Sequence, residues 1–506
     1  MLRFSVYDNG GVAQRVDLNG SYLVGSDGVP LRAEIEFRDG EIVCTKRAPG
    51  PAGLALLWPV KGCGRILLES ARLPERDKPY NLHLELARGR LMRIDQKREE
   101  WGLFDFPGME ELNAQLKLSR EYFVRALQAD SPAEVARWAD QALQSAIVVG
   151  ERISLFHADI FLSRRRQTHA FNRRPFGCVL DPSNTSEPYY HRIREAFDFV
   201  NLPMLWKHIE PKEQEINWTS LDAWVDWLTR HRVPITAGPL VSFQEGHVPD
   251  WLFIYEHDYD AIRGMVFEHV RRVVERYGRH VQRWVVVGGV HATNPLHFNF
   301  EQLMELTRVA ATLVKQLAPR AASIVELISP WGEYYSRNQR TIPPMLYADM
   351  AVQSGIGFDA FGLQFQFGPG LDGMFVRDMF QISSMIDRVG NLGKPVHVTA
   401  AQVPGVLRLP GGGGSMVADG GTWRQEWNEE VQAAWLKEFY QTALSKPFVE
   451  TVTWRDLADE APLAIMPNGG LIRADHTPKS AFKMLLSLRH DILGASRKPP
   501  RHAETT

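Results

Sequence analysis

Three regimes of hydrophobic and polar alternation follow one another along the chain. Over residues 1–105, short alternating runs are broken by turn signals: RAEIEF, then Arg38-Asp39-Gly40-Glu41, then IVCTK, and further on YNLHLEL, ARG and RLMRI. A period of two on both sides of an Asp-Gly turn predicts a β-hairpin. Its repetition predicts an N-terminal β-sandwich of about eight strands, an architecture that often binds glycans and is as often structural. Residues 106–168 change to helical periodicity. Pro107-Gly108 opens a helical run to about Leu127. Ser131, Pro132 and Glu134 then supply an N-cap, a first-turn proline and a first-turn acid for a second helix. This stretch is read as a helical connector.

From residue 169 to 490, short apolar runs alternate with longer amphipathic ones. The predicted strands are FGCVL (176–180), FDFVNLP (197–203), PITAGPLV (234–241), WVVVGG (284–289), SIVELIS (323–329), FDAFGLQF (358–365), PVHVTAA (395–401) and VETVTW (449–454). Eight buried strands, each followed by enough chain for a helix, predict a (β/α)8 TIM barrel of about 320 residues. A doubly wound open sheet is the competing arrangement. Residues 491–506, charged and proline-bearing, are read as a disordered tail.

Composition narrows the function without choosing it. A chain of 506 residues exceeds one ordinary core and predicts a multi-domain protein. Lys plus Arg number 58 against 60 Asp plus Glu, so there is no basic footprint for nucleic acid or for an anionic membrane. The N-terminus has no basic run leading into an apolar stretch, and no segment reaches membrane-spanning length, which predicts a soluble, cytoplasmic protein. Cys44, Cys63 and Cys178 lie far apart and read as core thiols. His247, His291 and His297 show no metal-ligand spacing and read as packed or solvated, so neither metal nor cofactor is expected. The run LPGGGGSMVADGG (409–421) has no phosphate-binding pattern and reads as a lid over the barrel mouth. Nothing in the sequence states an oligomeric state.

Six fragments in order carry a resemblance. FDFVNLPMLWKHIEP resembles a second-strand motif F-N-x-V-T-x-E-N-x-M-K-W followed by I-E-P, and ITAGPLVSFQEGHVPDWL resembles R-G-H-x-L-V-W-H with P-x-W. HVRRVVERYGRHVQRWVVVGG resembles the helix and strand ending W-D-V-V-N-E. FGLQFQF resembles I-G-x-Q-x-H, VHVTAAQ resembles I-T-E-L-D, and TVTWRDLAD with PKSAF resembles W-G-x-x-D with P-K-x-A-Y. These are motifs of glycoside hydrolase family 10, the xylanase family. The resemblance implies a carbohydrate ligand and a retaining mechanism, in which one carboxylic acid protonates the leaving oxygen and a second carboxylate attacks the anomeric carbon.

The same resemblance places that pair where this chain has no carboxylate. The acid/base column falls on Gly289, preceded by Gly288, and the nucleophile column falls on Ala400, with Gln402 two residues on. Neither glycine nor alanine can move a proton or attack carbon, so the family mechanism cannot run on these positions. The two glycines are read as opening space at the mouth. Ser242, Phe243 and Gln366 replace further family residues. Lys207, Trp251, Gln364 and Trp454 carry over, and Arg455 beside Trp454 could pair with an acidic sugar.

Other carboxylates could stand in. Glu326 lies in the fifth strand and Glu333 just after it, Asp181 follows the first strand, Glu245 the third, and Asp456 and Asp459 the eighth. Glu333 with Asp456, or Glu326 with Glu245, would make an inverting pair if they converged. The competing reading of each is a loop carboxylate capping a helix or pairing with an arginine. Trp206, Trp251, Trp331, Tyr334, Trp423 and Trp454 fall at strand ends, where rings can stack on sugar faces. The expectation is a family 10-like protein that binds a carbohydrate without catalysis. The alternative is a glycosidase acting on xylan-like or acidic polysaccharide with relocated carboxylates Glu326, Glu333 or Asp456.

Overall fold

The computed structural model describes the chain except residues 9, 169, 172–174, 407–418, 462–464 and 494–506. Most of the glycine-rich stretch read as a lid, and all but the first residues of the C-terminal tail, lie outside the described residues.

Eight parallel strands close into a barrel in chain order: Phe176–Val179, Phe199–Leu202, Ile235–Ala237, Arg283–Gly288, Ala322–Leu327, Ala360–Gln366, Val396–Gln402 and Val449–Trp454. They are called barrel strands one to eight below. Closure is explicit in the register, with Gly177 opposite both Phe199 and Thr453. Each strand matches one of the predicted apolar runs. Strands buried on both faces read as continuous apolar runs, which is why periodicity found them so directly. The return helices start on polar caps: Asn299 and Asp378 each form a reciprocal capping box, and Asp258 accepts from the Ala261 amide.

The N-terminal region is β-rich, with two larger sheets and a two-stranded one, Tyr7–Asp8 with Gly11–Val12. One has four strands in the order Tyr80–Asn81, Leu2–Ser5, Glu41–Lys46, Ala33–Arg38. The predicted hairpin is present in it, with Arg38 paired to Glu41 and positive φ at both turn residues, 50° at Asp39 and 79° at Gly40. The other has five strands, and its edge strand, Thr422–Trp423, comes from the chain after barrel strand seven. Sheet and barrel are therefore tied by a backbone ladder.

The strand expectation fails after residue 81. YNLHLEL, ARG and RLMRI form one helix, Leu82–Glu100, started by the Asn81 side chain accepting from the Leu84 amide. The helix is covered on more than one side, with Leu82 and Leu86 in the main core and Leu91 and Ile94 in a second cluster with the following helices, so its apolar residues show no clean helical stripe to set against the five-residue alternation. Gly89 misled as a turn signal. A Cβ on it would lie 2.8 Å from the Ala71 amide nitrogen, so it lets the helix approach the backbone of residues 69–71. The next two helices, Glu110–Gln128 and Pro132–Gln167, lie where the sequence put them, the second capped by Ser131.

Candidate functional site

A cavity of about 180 Å³ opens at the C-terminal ends of the barrel strands, the end at which barrel enzymes carry their chemistry. Its titratable groups come from four of the eight strands. Asp181 follows strand one, and Glu245 and His247 follow strand three. Glu326 stands near the end of strand five, and Arg455 with Asp456 follows strand eight. Gln364 and Gln366 of strand six and Asn201 of strand two complete the polar wall, with Thr399 and Ala400 of strand seven between them.

Glu326 is 4% exposed, and burial raises its carboxyl above the ordinary range. The Thr399 and Gln364 side chains and the positive charge of Arg455 oppose that rise without cancelling it. Asp456 is shifted in the same direction by burial, against the charge of Arg455 and a hydrogen bond from Gln402 Nε2 to Asp456 Oδ2 at 2.8 Å. One guanidinium thus acts on both acids. Burial, with Arg455 adding to it, presses the His247 imidazole down to about 4, so it is neutral at pH 7 and hydrogen-bonded to Ser242 Oγ through Nδ1 at 2.9 Å. Asn201 Oδ1 and Gln366 Oε1 are buried in this wall without a hydrogen-bond partner among the described residues. Neither amide oxygen can remain unpaired at no cost, so both favour a ligand that donates hydrogen bonds.

The glycine pair does not open space. A Cβ on Gly288 would lie 2.8 Å from Glu326 Oε2 and 2.8 Å from Pro239 Cβ. At Gly289, where φ is +65°, it would lie 2.6 Å from Ile328 Cδ1. The space beside Gly288 is taken by the Glu326 carboxylate and Pro239, and that beside Gly289 by Ile328 and Gln244. Alternation could not say which way Glu326 faced; its register opposite Gly288 gives the answer.

Several expected site residues lie elsewhere. Glu333 is buried in an ion pair with Arg377, and Trp331 stacks on that same guanidinium at 4.3 Å. Trp423 donates Nε1 to Glu151 Oε1 at 2.8 Å against the N-terminal helices. Trp454 is fully buried and donates to the Gly469 carbonyl, while Trp251 donates to the Glu210 carbonyl. Lys207 pairs with Asp250 at 2.6 Å on the surface, and Asp459 pairs with Lys479. Trp206 donates to Glu210 and Tyr334 to the Ile342 carbonyl, both buried. No aromatic ring lines the cavity among the described residues, so the expected stacking wall is absent there. A ring's indole or phenol group needs a partner when buried, and Trp206, Tyr334, Trp423 and Trp454 each found one in the core or the domain contact. Asn201, Gln244 and Thr399 were missed; for Asn201 and Thr399 the available signal was a polar residue inside an otherwise apolar strand run, whereas Gln244 lies in the loop after strand three.

His291 is packed, its imidazole pressed down to about 3 by burial and bonded to Tyr334 Oη, and His297 is exposed, as expected. All three cysteines are free and buried. No group of metal-ligating side chains occurs among the described residues, and no helix there is long and apolar enough to cross a membrane.

A closed parallel barrel with a polar cup of carboxyls and amides at its C-terminal mouth is the arrangement in which (β/α)8 barrels carry their sites. The model of glycosyl hydrolase family 10 matches residues 165–487, and the chain belongs to that family. Similar solved structures include the native xylanase 10B of Thermotoga maritima, 17% identical over 65% of this chain and 98% of that one, with a TM-score of 0.49. Another is the family 10 protein of Paenibacillus barcinonensis, 16% identical over 64% of this chain and 97% of that one, with a TM-score of 0.48.

Proposed function

We propose that the barrel mouth takes a carbohydrate and cleaves its glycosidic bond with a carboxyl pair moved one strand round the barrel, Glu326 and Asp456. By resemblance the family's pair belongs to strands four and seven, at Gly289 and Ala400. Glu326 is on strand five and Asp456 follows strand eight, so the three-strand separation is kept.

The observation that carries this reading is that both acids lean back toward the strands that lost theirs. The Glu326 carboxylate abuts Gly288 of strand four, and the Asp456 carboxylate accepts from Gln402 of strand seven. Glu326, held up by burial, would keep a proton for the leaving oxygen. Asp456, also raised by burial but opposed by the Arg455 charge and by the hydrogen bond from Gln402 Nε2, would act as the base or nucleophile. The unpaired oxygens of Asn201 and Gln366 would accept from sugar hydroxyls.

A second reading, binding without turnover, is favoured by Gly289 and Ala400 themselves, which leave the family's own positions inert. Reducing-end release from xylan, other plant and bacterial polysaccharides and aryl glycosides separates the two, with thermal shift read on the same ligands. Catalysis predicts products that fall about 10²-fold or more in Glu326→Gln and in Asp456→Asn. Products unaffected by both substitutions overturn the assignment of the pair. Stabilisation by a glycan with no products supports binding alone.

A further inference from the structure

A second cavity, of about 170 Å³, lies where the N-terminal sheet meets the barrel helix Met379–Gly390. Its wall is unusually cationic. Arg72 and Arg93 reach in from the N-terminal region and Arg388 from the barrel helix, with Glu69 the acid among the lining residues. The Glu69 carboxylate is already shared, 3.1 Å from Arg72 Nη2 and 3.9 Å from Arg93 Nη1. Arg93 otherwise donates to the Glu69 carbonyl and Arg72 to the Gly25 carbonyl. The neighbouring buried charges are also spent: Arg377 on Glu333, and Arg90 on Asp378.

Arg388 is left over. Its guanidinium lies over Gly28, 3.5 Å from where a Cβ would sit, yet it has no hydrogen bond or ion pair among the described residues. Asp27 and Glu69 act on it only through space. Burial lowers Arg93 to about 10, and the wall as a whole, with Arg388 still exposed to solvent, sets three guanidiniums against one carboxylate. An oxyanion supplies what is missing, because it matches the planar donor fork of arginine and neutralises the excess charge. Trp331 closes one side, with its ring already over Arg377.

We propose that this inter-domain cavity is a binding site for a small oxyanion, either inorganic phosphate or the carboxylate of a uronic acid, held by Arg388 together with Arg72 and Arg93. It is separate from the barrel mouth and independent of any reaction there.

The test is calorimetric titration of the full-length protein with sodium phosphate and with sodium glucuronate, against sodium chloride at equal ionic strength. Saturable binding of one anion above the chloride control is expected, and which anion binds tells the two sources apart. Arg388→Gln, which breaks no existing ion pair, should weaken that binding about tenfold or more, the loss of a charge-assisted hydrogen bond. Ser384→Glu puts a carboxylate on the cavity wall beside Arg388 and should abolish binding while raising the melting temperature of the ligand-free protein. Binding unchanged in Arg388→Gln, or no heat above chloride for either anion, overturns the proposal.

Discussion

Replacing Glu326 by glutamine should stabilise the protein, and only above the pH at which a free glutamate ionises. The carboxyl is 4% exposed, and its pKa in the folded chain is raised by burial. Below about pH 4 the group is protonated in both folded and unfolded chains and contributes no difference. As pH rises past about 4.3, the unfolded chain ionises first, and stability is lost until the pH passes the raised folded value. Above that point the loss is constant. Each unit of upward displacement costs about 1.4 kcal/mol at neutral pH. Glutamine keeps the shape and cannot ionise, so Glu326→Gln removes that cost. Thermal melts of both proteins from pH 4 to pH 8 should coincide near pH 4, or differ by a small constant, and then diverge with the variant higher. One kcal/mol corresponds to about 2–4 °C in a domain of 150–250 residues. A difference that is flat with pH, or a variant that loses ground as pH rises, would refute the claim that burial outweighs Thr399, Gln364 and Arg455 at this site.

Two further outcomes follow from packing and charge. Gly288→Ala drives a methyl to 2.8 Å from both Glu326 Oε2 and Pro239 Cβ, and should cost about 1–3 kcal/mol in chemical denaturation; a neutral result would mean that the strand-four end has slack. Glu333→Gln leaves the fully buried Arg377 without its countercharge and should cost about 3 kcal/mol or more by the same measurement, with no change in glycan binding at the mouth. Loss of glycan binding at unchanged stability would return Glu333 to the site from which its burial has removed it.

The eight barrel strands were legible because a parallel strand covered on both faces must be apolar throughout, and a run such as Trp284 to Val287 shows this without reference to the rest of the chain. The Asp39-Gly40 turn was legible for a local reason too, since both residues tolerate positive φ. The family could be recognised from ordered motifs for the same cause: strand ends and their following turns are short, contiguous sequence. What failed was whatever depended on a partner distant in the chain. Gly89 looked like a turn until residues 69–71 were seen against it. Trp331, Trp423 and Trp454 looked like a sugar wall because they sit at strand ends, yet each ring is held by groups remote in sequence, at Arg377, Glu151 and Gly469.

The Gly288-Gly289 pair divides the two kinds of knowledge most clearly. The sequence by itself determined that strand four ends without a carboxylate. Only the tertiary structure decided what occupies the volume, because the side chains that take it, Glu326 and Pro239 beside Gly288 and Ile328 and Gln244 beside Gly289, come from the segments of neighbouring strands, brought there by a register that no local pattern encodes. Side-chain type and period are properties of neighbours along the chain, whereas burial, ionisation and the meeting of Glu326, Arg455 and Asp456 at one mouth are properties of neighbours in space.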